Sequence, residues 1–167
     1  MTEDILKRFG WFLLFLLVQV VVLGRIHLFG VATPMLYIYF VIQFPRNHPK
    51  WASLLWAFAL GLLIDVFYNT PGLTAFSLTV LAAVQPYYLE LFVSHDAAED
   101  LKPSLRTIGM TKYSYFVIPL VLVYHILFFS LDQFCFFHMM HWLLCVVGST
   151  AITLLLIYTF EIAKQKK

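Results

Sequence analysis

Gly61-Leu-Leu-Ile-Asp-Val-Phe-Tyr-Asn-Thr-Pro-Gly72 is the stretch whose reading decides the fold of this chain. It sets one carboxylate, Asp65, near the end of an apolar run that opens at Trp51, and Asn69-Thr-Pro-Gly72 turns the chain straight into another apolar run. At a helical rise of about 1.5 Å per residue, Asp65 lies roughly 21 Å from Trp51 and about one turn from the far end. An ionisable group within a bilayer-spanning segment is costly, which makes it a functional-site candidate. Two readings stay open: a structural or interfacial group close enough to reach water, or a group that binds a partner or ligand.

Composition supplies the solvent. Hydrophobic residues make up 62% of the 167 residues and charged ones only 12%, more apolar surface than a soluble domain of this size can bury. Lipid must cover the rest. The net charge of +2 is too small and scattered for a nucleic-acid surface. Cys135 and Cys145 form neither a CxxC nor a zinc spacing. On one helix they would stand about 15 Å apart, too far for a disulfide. Lys7 and Arg8 ahead of an apolar run resemble a signal peptide. The run is too long, however, and Gly24-Arg-Ile-His27 is not a small-residue cleavage site. It reads as a first membrane helix that stays.

Working outward, six apolar runs are bounded by charge, Pro or Gly: Phe9–Leu23, Val31–Phe44, Trp51–Tyr68, Leu73–Val93, Tyr113–Leu131 and Phe137–Phe160. They predict an all-α, polytopic membrane protein, one domain of six transmembrane helices over residues 1–167. The second run reaches only about 21 Å. It therefore either starts earlier, near Ile26, or is partly re-entrant, and Pro34 supports a kink. With a cytoplasmic N-terminus, the inner side holds Lys7, Arg8, Arg46, Lys50, Lys102, Arg106, Lys112, Lys164, Lys166 and Lys167, and Arg25 alone lies outside. That bias places both termini in the cytoplasm. The cytoplasmic loop Ser94–Lys112 carries Asp96, Glu99 and Asp100 beside its three bases. It is either a solvated connector or interfacial helix, or a docking surface for a partner.

Small residues recur every four positions at Ser53, Ala57, Gly61 and Asp65, and again at Ala75, Thr79 and Ala83. Such stripes let two helix backbones approach closely, so the third and fourth helices are expected to form a tight antiparallel hairpin with Asp65 facing protein. Asp65 is then expected to organise that end of the bundle through hydrogen bonds to His125 or to the backbone amides of the turn. Gln19, Gln85 and Pro86 read as helix glue or as a kink. His125, His138 and His141, with Asp65 and Asp132, could gather on the extracytoplasmic side, where interfacial anchoring is a commoner role than metal binding. Acid–base and nucleophilic chemistry need at least two cooperating groups, and no such pair stands within the spans. Neither an enzymatic activity nor a cofactor or metal is expected.

The pattern resembles the rod shape-determining MreD family in its Bacteroidota-type form, over nearly the whole chain. Leu28-Phe-Gly30, Pro34 and Tyr37 resemble that family's entry to the second span. Gly61-Leu-Leu-Ile-Asp65 with Pro71-Gly72-Leu-Thr-Ala75 resembles its central motif, and His125-Ile-Leu-Phe-Phe-Ser-Leu-Asp132 its fifth helix. The chain departs from the family at Gln85-Pro86, often Arg-Pro, and at Asp132, often Glu. The resemblance implies a non-enzymatic bacterial inner-membrane component of the cell-wall elongation machinery. Its implied partners are an MreC-like periplasmic scaffold, an MreB-like filament, a peptidoglycan polymerase and transpeptidase, and membrane lipids. It also implies a fold similar to the six-helix substrate-binding subunits of energy-coupling-factor vitamin transporters, which is the alternative function. Those subunits dock through an Ala-x-x-x-Ala motif on the first helix. Here residues 12–23 read Phe-Leu-Leu-Phe-Leu-Leu-Val-Gln-Val-Val-Val-Leu, without small residues at that spacing.

Overall fold

The computed structural model describes residues 2–23, 33–93, 101–133 and 139–165. Arg25, Leu28-Phe-Gly30, Asp96, Glu99, Asp100, Cys135, His138, Lys166 and Lys167 lie outside the described residues. Within them, the regular elements are all helical: α1 (Thr2–Leu17, continued by a π-helical turn, Val18–Val22), α2 (Ile38–Ile42), α3 (Lys50–Tyr68), α4 (Leu73–Glu90), α5 (Leu105–Ile108), α6 (Met110–Asp132) and α7 (Met139–Gln165). Three of them, Lys50–Tyr68, Met110–Asp132 and α7 as far as Lys164, are long and apolar enough to cross a membrane.

The other expected spans are shorter or more polar. α4 ends in Gln85-Pro86-Tyr87-Tyr88-Leu89-Glu90, which dilutes its apolar run. α1 changes to π geometry at Val18. Among the described residues, the second run keeps five helical ones, with irregular chain on either side. Pro34 has no N–H to donate and restricts the residue before it, which suits irregular chain ahead of α2; the earlier start near Ile26 lies outside the described residues.

The bundle is apolar outside, and inside it holds polar side chains among an apolar core. Leu55, Phe58, Leu62 and Val66 line the outer face of α3, and Tyr115, Ile118, Leu122 and Ile126 that of α6, all exposed. Gln19, Asp65, Gln85, His125, Ser149, Thr153 and Glu161 are all buried. Large apolar side chains exposed on the outer faces, with several polar ones held inside, suit a hydrocarbon solvent.

The α3–α4 hairpin is the most extensive helix pairing, and α4 also packs on α6 and α2. On α3 the buried side is Ser53, Ala57, Leu60, Gly61, Ile64 and Asp65, the expected stripe. On α4 the expected stripe needs correction. Ala75 is buried, but Ala83 is exposed and the half-buried Thr79 donates its hydroxyl to the Ala75 carbonyl. The inward positions are Thr74, Ala75, Ser77, Leu78, Leu81, Ala82, Gln85 and Leu89. A 3.6-residue helix drifts out of strict four-residue spacing, and α4 must also face α2 and α6.

Candidate functional site

The residues of the central stretch form one unit. α3 ends at Asn69, which takes the left-handed conformation (φ 56°, ψ 39°), and its amide donates to the Asp65 carbonyl. Asparagine tolerates that region better than most residues. Gly72 follows at φ 83°, ψ −9°, and the Leu73 amide bonds the Thr70 carbonyl at 3.3 Å. Proline at the second position and a positive-φ glycine at the third are the requirements of a type II turn. The α4 N-terminus thus begins at a residue with no side chain to cap it.

Asp65 supplies the missing cap from the neighbouring helix. Its Oδ1 accepts from the Thr74 amide at 2.9 Å and from the Thr70 hydroxyl at 3.0 Å, and its Oδ2 accepts from the Ala75 amide at 2.9 Å. Two of the four amides that every helix leaves unsatisfied at its start are thereby paired, by an anion placed where the helix dipole favours one. Gly61, one turn earlier, makes the reach possible. A Cβ there would lie 2.5 Å from the Ala75 Cα and 2.7 Å from its nitrogen. Ala57, fully buried a turn further down, continues the close approach.

His125 does not join this carboxylate. It is fully buried on α6, with Nδ1 2.8 Å from the Val121 carbonyl and Nε2 3.4 Å from the Thr153 hydroxyl of α7. Asp132, the last residue of α6, is exposed. His141 lies 3.6 Å from the Cys145 sulfur. No three His, Cys, Asp or Glu side chains come together to hold a metal among the described residues.

A second construction surrounds residues 33–44. Pairing of backbone groups is obligatory at membrane depth, and irregular chain survives there only when protein supplies the partners. Ser149 and Thr153 of α7 accept from the amides of Thr33 and Met35, each at 3.1 Å. Gln19, on the π turn, donates to the Pro34 carbonyl at 3.0 Å and accepts from the Leu36 amide at 3.2 Å. At the other end of α2, Gln85 donates to the carbonyls of Phe44 at 3.2 Å and Ile42 at 3.5 Å. Gln85 therefore holds a broken helix. Its neighbour Pro86, half-buried inside α4, cannot donate to the Ala82 carbonyl.

Sequence reasoning missed a third group. Glu161 of α7 is buried and accepts from the Tyr39 hydroxyl and, at 3.4 Å, from the Leu105 amide; Gln43 donates in turn to the Tyr39 oxygen. An acid inside the last helix is a signal in the sequence, but its place near the end of the run makes it look interfacial. Beside this group, Arg8, Trp11, Phe15, Phe40, Gln43, Phe44, Pro45, Lys102 and Lys164 line a cleft of about 230 Å³.

Comparison with protein-family models, with curated proteins and with solved structures found no match to this chain.

Proposed function

We propose that this chain is a non-enzymatic inner-membrane component of the cell-wall elongation machinery that maintains rod shape, as its resemblance to the MreD family implies. On this reading it crosses the membrane six times with both termini in the cytoplasm, and it links an MreC-like periplasmic scaffold to the wall-synthesis polymerase and transpeptidase. The observation that carries the reading is how the buried polar side chains are used. Asp65, Gln19, Gln85, Ser149 and Thr153 all bond the backbone of another part of the chain. Groups committed to the protein's own backbone suit a rigid scaffold rather than a reacting centre.

Depletion of the protein, followed by cell-width measurement and affinity capture from mildly solubilised membranes, tests the proposal. Loss of elongation, with wall-synthesis proteins in the capture, is the expected result. Normal shape with loss of uptake of one vitamin, and a transporter ATPase in the capture, overturns it in favour of the energy-coupling-factor alternative.

A further inference from the structure

The cleft lined by Arg8, Lys102 and Lys164 lies at the end of the bundle opposite Asp65. Four chain segments build it: α1 from its second turn to its last, α2 with the stretch after it, residue 102 ahead of α5, and the last turn of α7. The Arg46 amide ties two of these segments together by donating to the Leu101 carbonyl at 3.1 Å. The floor is aromatic, since Phe15, Phe40 and Phe44 are buried, and Trp11 stands half-exposed with its ring edge-on to Phe160. The rim is cationic. Lys102 and Lys164, both exposed, are near enough for their charges to act on one another, and Arg8 and the Gln43 amide are half-buried beside them. Glu161, whose charge reaches Lys164, is turned inward to Tyr39 and Leu105.

Three cations around an aromatic floor do not suit a neutral or cationic ligand. An oxyanion carried on an apolar body fits both halves, with the cations on the oxyanion and the ring surface on its apolar stem. The volume of about 230 Å³ corresponds to roughly eight waters at about 30 Å³ each. That is room for a phosphate and the start of a headgroup, while acyl chains stay outside on the apolar flanks of α1 and α7, where Leu14, Leu17 and Leu155 are exposed. Tryptophan and lysine at one level are also what a membrane–water interface selects.

We infer that this cleft is a binding site for the phosphate headgroup of an anionic membrane lipid, held by Arg8, Lys102 and Lys164 over Trp11 and Phe15. The site stands whether or not the chain serves wall elongation, because it uses only the cleft and its place at the membrane surface.

The full-length protein in detergent, titrated with phosphatidylglycerol, with phosphatidylcholine and with inorganic phosphate, tests this by thermal-shift and native mass spectrometry. Phosphatidylglycerol is expected to raise the melting temperature and to remain bound, while phosphatidylcholine and inorganic phosphate leave both unchanged. The double variant Lys102→Gln/Lys164→Gln is expected to bind phosphatidylglycerol at least tenfold more weakly. The control pair Arg106→Gln/Lys112→Gln, outside the cleft, binds as wild type. Should the cleft pair not fold, Lys102→Gln alone, at an exposed position before α5, takes its place with a smaller loss of affinity. Equal loss in the cleft and control pairs would mean only diffuse surface charge and overturns the site. A shift with inorganic phosphate equal to that with phosphatidylglycerol overturns the lipid as occupant. Unchanged binding in the cleft variants overturns the proposal outright.

Discussion

Gly61 stands against Ala75 so closely that a methyl group added to it would lie 2.5 Å from the Ala75 Cα, and one turn later Asp65 accepts from the Ala75 amide at 2.9 Å. The two contacts depend on each other. Only a helix without a side chain at position 61 brings the carboxylate at position 65 within reach of the α4 N-terminus.

Gly61→Ala should therefore already be damaging, since the atoms in its way are backbone and cannot swing aside. Overpacking of this kind costs about 1–3 kcal/mol, and Gly61→Leu should be worse. Gly10→Ala, inside α1 with nothing within 4 Å, should cost nothing and gain about 0.5–1 kcal/mol of helix propensity. Thermal unfolding in detergent checks the order, and a wild-type melting temperature for Gly61→Ala would rule out the close α3–α4 contact.

Asp65→Asn keeps one acceptor oxygen but turns an NH₂ group toward one of its present donors. Asp65→Leu leaves both the Thr74 and Ala75 amides unpaired, at about 1–3 kcal/mol each. Protein level and partner capture should both fall in the order wild type, Asn, Leu. An Asn variant that folds and assembles normally but supports no function would point to a protonation role and away from capping.

Gln85→Leu should loosen the chain after α2 while leaving α4 formed, because the Phe44 and Ile42 carbonyls lose the same donor. Stability should drop by about 1–3 kcal/mol. Limited proteolysis should find new cleavage between Phe44 and Lys50, and protection there equal to wild type would contradict the assignment.

His48, between α2 and α3, is held down to a pKa of about 4 from 6.5, first by burial and then by the nearby Arg8 charge. It stacks on Phe44 and its Nδ1 lies 2.7 Å from the Ser53 hydroxyl. The unfolded chain binds this proton more readily. The contribution to stability is therefore complete above pH 6.5 and declines as pH falls toward about 4. Melting temperatures across that window should fall less steeply for His48→Gln than for wild type; parallel curves would assign the pH dependence to other groups.

For topology, cysteine at Pro71, exposed in the turn, should react with an impermeant reagent from outside, and cysteine at Arg106 should not. Both substitutions leave intact the Thr70 hydroxyl, which bonds Asp65, and Ser104, which caps α5 in a box with Thr107. The reverse labelling pattern would invert the proposed orientation.

The membrane class, the helical content and the bounds of α3 were legible in the residues, because apolar run length and the Asn-Thr-Pro-Gly punctuation are local properties of the chain. Asp65 stood out for the same reason, as one charge in an apolar run. What holds it was decided only by the tertiary structure: the amides that pair with it became donors in need once Gly72 left α4 uncapped and Gly61 let the helices touch. The five-residue α2 is a stronger case. A run of fourteen residues with a proline reads equally as a span that starts earlier, near Ile26, or as a partly re-entrant segment. The irregular chain ahead of α2 is held by Ser149 and Thr153, more than a hundred residues away, which accept from the amides of Thr33 and Met35. Composition selects the solvent of each segment, one residue at a time. Hydrogen-bond pairing joins two distant positions, and in lipid that pairing decides which irregular backbone survives.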